Sequence, residues 1–131
     1  MPIGLASTVL NGWLNALCKA TNYTAPTAFW VKLHLGDPGA AGAGNPALNT
    51  TRQQATFGSV ASGGSITTTA DINWTSVPNA ETYSHVSFWD ASSAGNFLGS
   101  DDLATPRTVA VGDNFTITSG QLTVAITPVA A

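Results

Sequence analysis

Phe29-Trp30-Val31-Lys32-Leu33-His34-Leu35 is the stretch whose reading decides the fold. Phe29, Val31, Leu33 and Leu35 occupy every second position, and Trp30, Lys32 and His34 fall between them. Successive side chains of an extended strand point to opposite faces. The alternation therefore predicts one apolar face and one polar face that carries a tryptophan. Asp37-Pro38-Gly39 stops the run, because proline presets a turn and glycine accepts the positive φ that follows. Residues 39–49, dominated by Gly, Ala and Pro, have no periodicity and read as a loop, long for a compact domain.

Outward from this strand the same period of two recurs. Strands are expected at Gln54–Val60, Ser65–Trp74, Tyr83–Asp90, Phe97–Asp102, Arg107–Val111, Phe115–Thr118 and Leu122–Thr127. Turn signals separate them: Ser62-Gly63-Gly64, Val77-Pro78-Asn79, Ser93-Ala94-Gly95-Asn96, Gly112-Asp113-Asn114 and Ser119-Gly120. Around Ser119-Gly120, Phe115 and Ile117 on one arm and Leu122, Val124 and Ile126 on the other make the clearest strand pair. About eight short strands rich in Thr, Val and aromatics predict a mainly β fold, an antiparallel β-sandwich or jelly roll over 27–128. The 131 residues suit a single domain with one core, 1–131, burying roughly two-thirds of the unfolded surface.

The first twenty residues follow a different period. Ala6, Val9, Leu10, Trp13, Leu14 and Leu17 recur at spacings of three and four, which predicts one amphipathic helix. Pro2 suits its start, and Lys19 suits the negative end of its dipole. Gly12 in its middle suggests close packing against a neighbour. The helix lacks the basic polar face of a membrane-surface helix, so docking on its own domain or on a sister subunit is expected. Cys18, beside the apolar stripe, is expected to act as a small buried hydrophobe. A single cysteine excludes an intrachain disulfide framework and a thiolate zinc cage.

Composition narrows the partners. Hydrophobic residues make up 44% of the chain and charged residues only 8%, against about a quarter in an ordinary soluble domain. A net charge of −3 leaves no basic footprint for a phosphate backbone, which argues against nucleic acid. No stretch approaches the ~20 apolar residues that span a bilayer, and the N-terminus does not read as a signal peptide. Synthesis in the cytoplasm without export is the expectation.

Catalytic and metal constellations are sparse. Phosphate loops, nucleophile elbows and zincin helices are missing from the sequence. His34 and His85, each followed by an aspartate (Asp37, Asp90), could meet at a metal only if their strands were neighbours. Asp101, Asp102 and Asp113 could offer oxygen ligands to calcium, but their spacing better fits turn and edge duty. We therefore expect no cofactor, no metal and no enzyme activity. Of the four tryptophans, Trp13 belongs to the helix stripe, Trp30 lies off the apolar face, and Trp74 and Trp89 sit toward strand ends. Exposed indoles can stack on sugars or anchor a subunit interface. Low charge favours the interface, with Trp13, Trp30 and Trp89 as its packing anchors. Asp37, Pro38, Gly39 and Arg52 flank or open the long loop; they are candidates for loop contact, and Asp37 could pair with Arg52 across its base.

Several segments in order resemble a known family. They are Tyr23-Thr24-Ala25-Pro26, Val31 to Gly39, Thr51 to Gly58, Thr82 to Ala91, Gly95-Asn96-Phe97-Leu98 and Gly112-Asp113-Asn114-Phe115. Together they resemble the small tail-fibre or minor tail proteins of tailed phages, notably those infecting actinobacteria. The resemblance implies a non-enzymatic structural component of the virion, exposed on the tail or decorating the head as a minor capsid protein. It implies packing against other virion proteins, with a homo-oligomer, first of all a trimer, as the expected assembly. A carbohydrate-binding module for a host envelope glycan is the alternative reading.

Overall fold

The computed structural model describes residues 4–59 and 63–125. In chain order its elements begin with strand β1 (Gly4–Leu5), helix α1 (Ser7–Lys19), β2 (Trp30–His34) and β3 (Gln53–Gln54). There follow β4 (Ser65–Thr67), β5 (Ile72–Trp74), β6 (Glu81–Trp89), β7 (Phe97–Val109), β8 (Phe115–Ile117) and β9 (Thr123–Ala125). Among the described residues the fold is mainly β and antiparallel throughout, with one helix. A five-stranded sheet runs in the order β1-β7-β6-β2-β3, and β4–β9 and β5–β8 form two-stranded pairs.

The alternation that opened the sequence sets the layers. Val31 and Leu33 are fully buried opposite Phe88 and Val86 of β6. With Ile72, Trp74, Phe115, Ile117 and Leu122 from the paired strands they form the hydrophobic core. Trp30 and Lys32 point the other way and are half-buried. His34 departs from the pattern: it lies on the polar face yet has no exposed surface, because the 36–49 loop folds over it.

Three expectations are corrected by long-range pairing. The run Ser65–Trp74 breaks into β4 and β5, and β8 and β9 do not form a hairpin with each other. Instead Ile66 faces Val124, while Ile72 faces Ile117 and Trp74 faces Phe115. The two pairs are one ribbon of the same two arms, interrupted at residues 68–71. There Thr68 donates its N–H to the Leu122 carbonyl and accepts from Gly120, and an Asp71 oxygen caps the Ser119 N–H at 2.7 Å. Local patterning cannot reveal such a clamp. The second run, expected at 54–60, pairs only at Gln53–Gln54 and through a lone bridge between Phe57 and Thr68; position 60 lies outside the described residues, as do 126 and 127 of the last expected strand.

Third, the expected strands at 97–102 and 107–111 are a single strand. Between the pairs His85↔Asp102 and Tyr83↔Arg107, residues 103–106 stand opposite Ser84 alone. This bulge holds Pro106, which has no N–H to give a ladder. On the far edge β1, absent from the sequence reading, pairs Gly4 with Ser100 and Leu5 with Gly99. Gly99 is needed there, since a Cβ would stand 2.7 Å from the Gly4 carbonyl oxygen.

Helix α1 starts beside this edge, where Ala6 donates its N–H to Leu98 at 2.8 Å. It docks on the core through Ala6, Val9 and the half-buried Trp13. The rest of the expected stripe is left outside: Leu10 is 39%, Leu14 57% and Leu17 81% exposed. Cys18 is also exposed, which corrects its expected burial. A Cβ at Gly12 would meet only the Tyr23 ring, at 3.8 Å, so close packing does not require that glycine.

Candidate interaction surface

The polar face of the large sheet is built around two tryptophans in register. Trp30 of β2 and Trp89 of β6 are direct cross-strand partners, a pairing that sequence alone could not supply. Cross-strand aromatic neighbours of this kind stabilise a sheet locally by about 0.2–1 kcal/mol. Trp89 packs on Phe97 with ring centres 5.5 Å apart. The Arg52 guanidinium also lies against it, 4.3 Å from the ring centre.

Arg52 is therefore not the partner of Asp37. Its Nη1 donates to the carbonyls of Ala91 and Ala94, both at 2.7 Å, and so holds the β6–β7 turn against Trp89. Within that turn the Asp90 carboxylate accepts from the backbone and side-chain amides of Asn96, at 2.7 and 2.9 Å. These hydrogen bonds, the backbone one first, hold the Asp90 pKa below its usual value. Asp37 serves its own turn: Oδ1 accepts the Gly39 N–H at 2.7 Å, and Gly39 takes φ +76° as expected. Pro38 is buried within the loop.

The loop itself is tied down at several points. His34 Nδ1 lies 2.7 Å from the Gly44 carbonyl and Nε2 lies 2.7 Å from Ser87 Oγ. Trp89 Nε1 donates to the same Oγ at 2.7 Å. A single assignment satisfies every atom: Nδ1–H donates to Gly44, and the Ser87 hydroxyl donates to Nε2 while accepting from Trp89. Burial is the main cause that lowers the His34 pKa from 6.5, so the ring is neutral at pH 7. At the far end of the loop the buried Glu81 accepts the N–H groups of Leu48 and Asn49, at 2.6 and 3.2 Å. Glu81 was not singled out in the sequence, and its place after Pro78-Asn79-Ala80 gives no local signal of this partner.

The two histidines do face each other across β2 and β6. His34 is spent on Gly44 and Ser87, and His85 Nδ1 pairs with Ser84 Oγ at 2.8 Å. No group of three or more His, Cys, Asp or Glu that could hold a metal ion occurs among the described residues. Asp113 caps the Ala110 N–H in its turn, the turn duty anticipated for it, whereas Asp101 lies within β7 opposite Val86 and accepts the Asp102 N–H. Trp74 is core, 2% exposed with its N–H on the Thr51 carbonyl at 2.8 Å, and so offers no platform to a ligand. Trp13 stands apart from Trp30 and Trp89, edge-on to Tyr23 with centres 6.1 Å apart. The three expected anchors thus do not form one patch.

What is assembled here is hydrogen-bonded architecture: a sheet face, a strapped loop and a helix with a bare apolar side. That is the equipment of a structural protein, one that works by holding and being held. Residues 4–125 match the family described as Gp80, podophage GP4 fiber I protein gp80, and the chain belongs to that family. It is accordingly a phage fibre-type protein, a structural component of the virion that interacts with other virion proteins. The family is a structural one and not an enzyme family. The match does not single out actinobacterial hosts. No curated protein matches the chain. No described helix is long and apolar enough to cross a membrane.

Proposed function

We propose that this chain is an exposed tail-fibre component, built into the particle as a homo-oligomer by apolar packing against its own copies and other virion proteins. The observation that carries this reading is the span of the fibre-family match, 4–125, which takes in α1, the large sheet and the interrupted ribbon alike. The half-buried Trp13 and Trp30 are the packing anchors we assign to it. The 36–49 loop, strapped down by His34 and Glu81, presents a fixed shape to a neighbour.

Electron microscopy of intact particles with antibody-labelled chain tests the assignment. Label on the tail supports it. Label spread over the capsid would replace it with head decoration, and particles lacking the chain would overturn a virion role altogether. Against a glycan platform at Trp89 stands Arg52, whose guanidinium occupies the ring face that a sugar would need. A specific hit on a glycan array, lost in Trp30→Ala or Trp89→Ala without loss of incorporation, would reinstate that reading.

A further inference from the structure

Helix α1 carries more apolar surface than its own domain covers. At about 100° per residue, Val9 and Trp13 lie within about 40° of each other, on the side that faces the core. Leu17, Leu10 and Leu14 continue the same apolar arc for about another 100° beyond Trp13. The core takes Val9, at 8% exposure, and leaves these three leucines at 39–81%. The sequence shows one stripe; the structure divides it into a docked half and a bare half.

We propose that the bare half, Leu10-Leu14-Leu17, is the seam through which a second copy of this chain packs helix against helix. The proposal deepens the reading of a fibre component and rests on it. Three observations select the occupant. The leucines are spaced four then three residues apart, the spacing of a coiled-coil seam, so the ridge of one copy fits the gaps in an identical ridge. No charge lies among them: α1 has no acidic residue in its first turn, and its one basic residue, Lys19, sits at the far end. A charged partner would find nothing to pair with.

The third observation is area. The exposed leucine surface is on the order of 300–400 Å², as large as the biggest apolar patch on a typical monomer. It is less than half of the ~800 Å² per partner that a standard stable interface buries. By itself such a seam is too small to hold a chain on a particle. It is sufficient between copies already tethered side by side, where effective concentration replaces intrinsic affinity. Free protein should therefore be a monomer that self-associates reversibly as its concentration rises.

Sedimentation equilibrium of the full chain, from about 5 µM to about 500 µM, reads this directly. We expect association within that range, weakened at least about tenfold by Leu14→Gln with Leu17→Gln and unchanged by Leu48→Gln, an equally bare leucine on the loop (70% exposed). The thermal midpoint of the double variant should match the parent, since both side chains face solvent in the monomer; a lowered midpoint would mean that they pack at home, and would overturn the seam. A parent that stays monomeric at 500 µM overturns it too. If the double variant then also fails to enter particles, the ridge belongs to a different virion protein while the fibre role stands. Ridge-dependent binding to anionic phosphatidylglycerol vesicles, with no self-association, would overturn it in favour of a membrane surface.

Discussion

Removing one oxygen atom tests the arrangement beneath the loop. Ser87 is fully buried, and its Oγ serves both His34 Nε2 and Trp89 Nε1, each at 2.7 Å. Ser87→Ala leaves the His34 nitrogen without a donor in a site closed to water, at a cost of about 1–3 kcal/mol. The Trp89 N–H is less isolated, since that residue is half-exposed, and its loss adds about 0.5–1 kcal/mol. The expected total is about 1.5–4 kcal/mol, a large fraction of the 5–15 kcal/mol that holds a typical domain folded. Urea unfolding at pH 7.5, followed by tryptophan fluorescence, should show the midpoint falling by roughly 1–2 M with an unchanged slope. Ser84→Ala is the matched control: its hydroxyl also touches a histidine, but in a half-exposed pair, so it should cost under about 0.5 kcal/mol. Equal, small effects of the two substitutions would refute the relay and leave the buried His34 unexplained.

Acid should loosen the same site. The folded His34 pKa lies below its ordinary 6.5, chiefly through burial, so the unfolded chain binds the proton more readily. The stability linked to this group is complete above about pH 6.5 and is lost as pH falls through the folded value; urea midpoints should drop between pH 7.5 and pH 5, and His34→Gln should flatten that slope while lowering the midpoint throughout. Gly99→Ala should peel away β1 and loosen α1, because the new methyl meets Gly4 and Leu5 backbone atoms at 2.7 and 3.1 Å that cannot rotate aside. About 1–3 kcal/mol is expected, with amide exchange over residues 4–19 rising before that of β2 and β6; uniform exchange would contradict the placement. Arg52→Lys loses the planar stack on Trp89 and one of two carbonyl bonds, for about 0.5–1.5 kcal/mol in the same unfolding assay.

The candidate surface was legible in the sequence only in part. Trp30 stood out because it falls off the apolar alternation and Trp89 because it sits toward a strand end, yet their pairing needs the β2–β6 register, which joins residues 59 positions apart. The Asp37-Pro38-Gly39 turn was readable because its chemistry is local: a carboxylate capping an N–H two residues on, and a glycine at positive φ. The Asp37–Arg52 pairing failed for the opposite reason. Arg52 found two carbonyls and an indole on a turn about 40 residues later, while Asp37 is taken up by its own turn.

By itself the sequence determined what repeats over a few residues: the strand period at Phe29–Leu35, the helix period at Ala6–Leu17 and the Asp37-Pro38-Gly39 turn. These follow from backbone geometry, which acts between near neighbours. Tertiary structure decided what depends on distant partners. It decided that 65–74 is two strands, that 97–109 is one, that His34 is sealed beneath a loop, and that half of α1 is left bare. Burial is settled by what arrives to cover a face, and a local pattern records only that the face wants covering. For Leu33 the cover is the chain's own core; Leu10, Leu14 and Leu17 are left 39–81% exposed by the described residues.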